Sequence, residues 1–221
     1  MQRNITPTET ERRRPGRPPS KLAGDVDRRI LNAATSLFLK LGFDATSCEQ
    51  VVELAGAGKA SLYARYASKE ELFAAVVRDN VERTLAPSAD VPFDLSLAER
   101  LRTVGLSILA HALQPDVVAL MRVVLATAQR MPDLAQLADR IGRDSAVRRV
   151  AEAIAGNVSM APGAIEKARP VAAKFIDLVF LPNQMRALLG DEHGVLMRGA
   201  SKTVEDAIDL LTKGGWLKQW D

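Results

Sequence analysis

Apolar residues along this chain recur at spacings of three and four, and no window shows sustained strand alternation or hairpin turn chemistry. That periodicity confines the chain to an all-α fold. The first stripe runs Val26, Ile30, Ala33, Leu37 and Leu41, and closes at Gly42, where a left-handed cap would end a helix. Ser47 with Gln50 forms a capping box that opens a second helix, with Val51, Leu54 and Ala55 expected to face inward. Gly56, Ala57 and Gly58 make a turn, and a third helix is expected over 59–66. Ser68 with Glu71 forms another box, opening a helix through Leu72, Phe73 and Val76 to about residue 86; Pro87 and Pro92 then define a linker.

Beyond the linker the same signals continue. Ser96 with Glu99 caps a stripe of Leu97, Leu101, Val104 and Ile108, and Pro115 and Pro132 sit where a first-turn proline is tolerated. Helical spacing follows at Leu134, Leu137, Ile141, Val147 and Ile154. A strongly apolar helix is expected over 164–189, with Phe175, Leu178, Val179, Phe180 and Leu181 ahead of Pro182, and a last one from about Ala200 to Lys213.

Charge is concentrated at one end. Residues 1–24 carry Arg3, Arg12, Arg13, Arg14, Arg17 and Lys21 against Glu9 and Glu11, a net of +4, which leaves −1 for the rest of a chain whose formal charge is +3. Almost no large apolar side chains lie there, so this arm cannot offset its ordering entropy and is expected to be disordered until bound. A basic arm on a near-neutral body suits a polyanion partner. The single cysteine, Cys48, excludes an intramolecular disulfide, fits a reducing compartment and reads as a packing residue. With no stretch near the roughly 20 apolar residues of a membrane span and no signal-like apolar core, no membrane partner is expected and the location is read as cytoplasmic.

Two short helices joined by a glycine turn, the second basic and hydroxyl-bearing, have the anatomy of a helix-turn-helix reader of the DNA major groove, here over about 46–66. Lys59, Ala60, Ser61, Tyr63 and Ala64 fall in the first two turns of the reading helix. Lys59 and Arg65 offer charge, Ser61 and Tyr63 hydroxyls, and Ala60 a close backbone approach to a thymine methyl or a phosphate. Leu62 and Tyr66 belong on the opposite face, as core. Thr46, Ser47 and the free N–H groups of the second helix can hold one phosphate, and Lys69 a phosphate on the other side of the groove.

These residues resemble the TetR family of bacterial transcriptional regulators. The likeness covers about residues 27–73: Leu41-Gly42-Phe43, Thr46, Val51, Ala55-Gly56, Lys59, Leu62-Tyr63 and the run Ser68-Lys69-Glu70 to Leu72-Phe73. The stretch MRVVLATAQRMPDLAQLA over 121–138 also resembles the C-terminal domain of AefR-like repressors. The chain departs from the common family pattern at Gly58, Arg65 and Ala67, where a serine or threonine, an aromatic residue and a proline are frequent. The resemblance implies a homodimer on double-stranded, palindromic operator DNA, with an N-terminal three-helix domain over 25–73. It also implies a larger helical domain over 94–221 that dimerises and binds a small, largely apolar inducer of unspecified identity. Repression is the family's default. The arm's Gly16-Arg17-Pro18 core resembles the AT-hook, so Arg14 and Arg17 are expected in an A·T-rich minor groove; a tail adding only unspecific phosphate attraction is the alternative.

For the dimer face, Phe175, Val179, Leu188, Ile208 and Leu211 are available, although such apolar residues equally suit a monomer's core. The polar residues His111, Arg122, Gln129 and Asn183 interrupt apolar helices but read as packing or surface groups rather than ligand contacts. An enzyme is disfavoured: His111 and His193 lack metal-ligand spacing, and no paired carboxylates or glycine-rich phosphate cradle occur, so no catalytic residues, metal or cofactor are expected. An architectural protein with little sequence preference remains open on the arm alone.

Overall fold

The computed structural model describes residues 20–84, 92, 94–156 and 163–220. These form nine helices and no strand: α1 (Ser20–Ala45), α2 (Cys48–Ala55), α3 (Lys59–Tyr63), α4 (Lys69–Thr84), α5 (Leu97–Ala112), α6 (Pro115–Thr127), α7 (Pro132–Ala155), α8 (Ala164–Leu189) and α9 (His193–Lys213). No single helix among them is long and apolar enough to cross a membrane.

The helix boundaries follow local chemistry. Gly42, at φ 79° and ψ 173°, breaks α1 where its missing Cβ permits a positive φ. Ser47 and Gln50 make the expected reciprocal box at α2, and Ser96 and Glu99 do the same at α5. Pro115 and Pro132 occupy first turns of α6 and α7. At α4 the box is displaced by one residue: Glu71 N–H donates to Ser68 Oγ at 3.2 Å, while Glu71 Oε2 accepts from the N–H of Ala67 at 2.8 Å.

Several expected boundaries and faces are corrected. The first helix begins at Ser20, inside the segment expected to be disordered, and α9 begins seven residues before Ala200. The reading helix closes at Tyr63, with Ala64 to Tyr66 continuing as hydrogen-bonded turns. Leu41 and Leu54 are exposed, their places in the core taken by Phe38 and Val52. An apolar stripe sets the phase of a helix but not which of two neighbouring rows its partner covers. Pro87, Arg14 and Arg17 lie outside the described residues.

Two apolar cores organise the molecule. The first gathers Ile30, Phe38, Val51, Leu62, Leu72 and Phe73 from α1 to α4, and extends to Leu120 of α6 and to Leu134 and Ala138 of α7. The second joins α5, α7, α8 and α9 through Leu101, Leu109, Val150, Phe175, Val179 and Val204. Helix α4 packs on α7 and α1 on α6, while an Arg130–Asp44 ion pair bridges the turn before α7 and the end of α1. Between the second core's helices, Arg102 Nη2 donates to Glu205 Oε2 at 3.0 Å. Buried Arg100 donates to the carbonyls of Ala153 at 2.8 Å and Leu95 at 2.7 Å, tying α5 to the end of α7.

The residues offered as a dimer face need the same correction. Phe175, Val179, Ile208 and Leu211 are buried within the single chain, and Leu188 is half-buried. Two helices of this length supply both an inner and an outer apolar row, and Leu181, Met185, Leu189 and Leu210 belong to the outer one.

Candidate nucleic-acid interface

The α2–α3 unit is held from behind by α1 and α4. Gly56 ends α2 in the left-handed region at φ 58° and ψ 40°, and Arg29 Nη1 donates to the carbonyls of Ala55 at 2.9 Å and Gly56 at 3.2 Å. A side chain at Gly56 would meet strained backbone and the Arg29 guanidinium at 3.4 Å. Leu62, fully buried, and Tyr66 anchor α3 from its inner face. The Tyr66 hydroxyl donates to Asp27 Oδ1 at 2.8 Å, and burial, reinforced by that carboxylate, holds the phenol far above its ordinary pKa.

The outer face presents Lys59, Ala60, Tyr63 and Ala64 to solvent, with Ser61 half-buried beside them. Ala60 and Ala64 are small, so the helix can approach a groove closely, and Tyr63 stands out at 49% exposure. Its phenol is also raised above the usual value, first by charge on neighbouring Cys48, then by partial burial and by Glu49. Like any phenol near neutral pH, Tyr63 keeps its proton and can donate as well as accept. Lys59 Nζ donates to Glu49 Oε1 at 3.0 Å, and this bond, first among its causes, lowers the Glu49 pKa. Glu49 carries no sequence signal for this face, since its position 10 residues before Lys59 shows no helical relation.

Three expected contacts point elsewhere. Lys69 Nζ donates to the carbonyls of Phe43 at 3.0 Å, Asp44 at 3.3 Å and Thr46 at 3.0 Å, and lies 4.5 Å from the centre of the Phe43 ring. Its three donors thus cap the end of α1 instead of facing outward. Thr46 is buried and its hydroxyl donates to Gly42 at 2.8 Å. Arg65 Nη1 donates to Ser61 at 2.6 Å while its Nε lies 3.4 Å from Asp27, so it fastens α3 to α1. Ser47 accepts from the N–H of Gln50 at 3.2 Å and donates its own N–H to Gln50 Oε1 at 2.8 Å, so its hydroxyl serves the cap at the α2 N-terminus. Gly58, the N-cap of α3, supplies no side-chain cap.

A second feature lies behind α4. A cavity of about 400 Å³ is walled by Val77, Asn80 and Val81 of α4 together with residues of α5, α6, α7 and α8. Its polar groups are Asn80, Asp139, Arg143 and Gln184. Arg143 is already paired with Asp177 at 2.6 Å, a bond that raises its pKa. The Gln184 amide donates only to the thioether of Met121 at 3.2 Å, a weak acceptor.

None of the four polar residues singled out from sequence lines this cavity. Arg122 donates to Ala187 at 2.9 Å, Asn183 donates to Val179 at 2.8 Å beside Pro182, and Gln129 is exposed. His111 Nδ1 donates to Ser107 at 2.8 Å, and its ring borders a separate, polar, more open cleft with Asn32, Asn80, Arg83 and Asp116. A cavity collects whatever five helices leave uncovered, so no single window of sequence marks its lining.

The fold and the outward-facing short helix define a helix-turn-helix protein with a larger helical body. The family model for bacterial regulatory proteins of the tetR family matches residues 30–76, and that for the C-terminal domain of AefR-like transcriptional repressors matches residues 99–213, more than half the chain. The chain belongs to the TetR family of transcriptional regulators and carries an AefR-like C-terminal domain.

Relatives agree over the reading head. The chain is 43% identical over 68 residues to the regulator RutR of Escherichia coli K12, covering 31% of this chain and 32% of RutR. It is 37% identical over 84 residues to the repressor BdcR of the same strain, covering 38% and 41% of the two chains. These matches span less than half of either relative. Solved structures extend the likeness to the whole fold. The flavonoid-responsive regulator FrrA superposes with a TM-score of 0.66 at 27% identity, covering 86% of this chain and 97% of that one. A TetR-family regulator of Mesorhizobium loti gives 0.63 at 22% identity, covering 85% and 97%.

Proposed function

We propose that this protein is a ligand-responsive repressor that binds a palindromic operator as a homodimer and releases it when an apolar molecule enters the cavity behind α4. The observation that carries this reading is the position of α4. One side of that helix supplies Leu72, Phe73 and Val76 to the core of the reading head, while Val77, Asn80 and Val81 wall the cavity. A ligand that prefers a wider cavity biases the position of α4, and with it the angle of α3.

On DNA, Lys59 and the α2 N-terminus at Ser47 would meet phosphates, while Ala60, Ser61, Tyr63 and Ala64 would meet base edges. Thr46 and Lys69 would act as positioning residues for that surface. Arg14 and Arg17 would reach the flanking minor groove. The test is a salt-titrated binding assay on the protein's own promoter region against random DNA, with and without residues 1–20. A preference of about a thousandfold or more that falls selectively for A·T-flanked sites on deletion supports the reading. Equal affinity for all sequences would favour an architectural role.

The effector would be neutral and largely apolar. About 400 Å³ is within the range of small-molecule sites, and Arg143 is already held by Asp177. The flavonoid response in FrrA's name belongs to a protein of similar fold, and a flat, mainly apolar molecule would suit this cavity too. Gly142 borders the cavity, and a Cβ at that position would meet nothing within 4 Å. The Gly142→Phe change is therefore expected to fill the space and abolish uptake of the neutral fluorophore N-phenyl-1-naphthylamine, with unchanged circular dichroism showing that the chain stays folded. Unchanged dye uptake would place the effector elsewhere.

A further inference from the structure

The α2–α3 unit is a poorly charged surface to bring against DNA. Over residues 47–64 its charged side chains are Lys59 against Glu49 and Glu53, a net of −1. Attraction to a polyanion must come mostly from elsewhere, and the chain concentrates positive charge in the arm over 1–24, at a net of +4. Within the unit, Glu49 holds the lysine. Its carboxylate accepts from Lys59 Nζ at 3.0 Å, both side chains being more than half exposed, and its charge also acts on the Tyr63 phenol of the same outer face. The Lys59 bond favours the ionised form, so Glu49 is a full charge at neutral pH.

An exposed pair of this kind is weak, so a phosphate can draw Lys59 away. The carboxylate then left at the groove accepts hydrogen bonds but donates none. The major-groove edge offers it amino groups only at cytosine N4 and adenine N6. Adenine sets its amino group beside the N7 acceptor, which repels a carboxylate, so cytosine is the better match. Where no such amino group stands opposite, the freed carboxylate faces only acceptors and phosphates, and Lys59 stays with it.

We infer that Glu49 is a specificity-determining residue of the reader: it keeps Lys59 from the phosphates of ordinary DNA, and at the operator it releases Lys59 and accepts from a cytosine N4. This rests on the operator-reading function proposed above. The exchange makes one phosphate contact conditional on one base, so an otherwise unspecific attraction becomes part of the sequence readout. Glu53, one turn along the same row of α2, is the matched comparison, an exposed carboxylate of equal charge, whereas Glu49 is the one paired with Lys59.

The test selects binding sequences for the full chain from a random double-stranded pool, then measures affinity on the selected sequence and on random DNA as salt is varied. Glu49→Ala is expected to lose the preference for cytosine at one position of each half-site while the other positions keep theirs. The ratio of operator to random affinity is expected to fall at least about tenfold. On random DNA its log–log salt slope is expected to steepen by about one, as Lys59 becomes free to neutralise a phosphate. Adding Lys59→Ala is expected to return that slope to the wild-type value. Glu53→Ala is expected to keep both the selected sequence and the affinity ratio; the same losses there would make this a general charge effect and overturn the inference. So would a Glu49→Ala chain that selects the wild-type sequence, or one that binds all DNA more weakly in step with a lowered melting temperature. A wild type that selects no sequence at all would overturn the operator-reading function itself.

Discussion

Replacing Phe73 by alanine is expected to abolish DNA binding by unfolding the reading head, at a cost of about 3–5 kcal/mol for a fully buried phenylalanine. Phe73 is completely buried, and its ring meets Phe38 edge-on at 5.0 Å and Phe43 at 5.3 Å, with Phe38 and Phe43 stacked at 5.7 Å. These three rings join α4 to both segments of α1 and hold the break at Gly42 beneath the α2 N-terminus. Domains have only about 5–15 kcal/mol of stability, so the loss is a large share for so small a unit. Because α4 also walls the cavity, the damage should reach the body through Val77 and Val81. Thermal unfolding followed by circular dichroism, with DNA binding measured by fluorescence anisotropy, checks this. A Phe73→Ala protein with wild-type melting and DNA affinity would refute the role given to this cluster.

The second large effect separates contact from scaffold. Ala60→Glu is expected to leave melting unchanged while weakening binding to all DNA by at least about a hundredfold, since like charges brought together at an interface cost several kcal/mol. Ala60 is exposed, glutamate is a good helix former and nothing of the core is disturbed. A carboxylate already beside this face, Glu49, is balanced by Lys59 at 3.0 Å, whereas a carboxylate at position 60 would add a charge opposite the phosphates. Binding that survives Ala60→Glu at full strength would move the reading surface off α3. Together the two variants divide the ways of losing an operator: Phe73→Ala removes the support, Ala60→Glu only the surface.

The caps and turns that bound α2 and open α5 were legible in the chain because their chemistry is local. Ser47 with Gln50 and Ser96 with Glu99 satisfy free N–H groups three residues away, and Gly42 and Gly56 accept positive φ at no steric cost. The two-sided character of α3, with Leu62 and Tyr66 inside and Ala60, Tyr63 and Ala64 outside, likewise follows from its period.

Side-chain roles that depend on distant carbonyls were not legible. A lysine opening a helix beside a DNA reader suggests a phosphate contact, yet Lys69 meets three carbonyls more than 20 residues earlier in the chain. Thr46 turns its hydroxyl back to Gly42 for the same reason, since a buried polar group must find a partner. Phe175 and Leu189 belong to one equally apolar helix, and only the packing of α5, α7 and α9 buries the first and leaves the second in water.

Short-range physics thus set the all-α class, the caps, the turn between α2 and α3 and the character of the reading helix, because hydrogen-bond and steric preferences act within a few residues. The cavity behind α4 and the inward turn of Lys69 arise from the meeting of helices distant in sequence. Burial and free space are properties of that assembled arrangement, and no local pattern of residues encodes them.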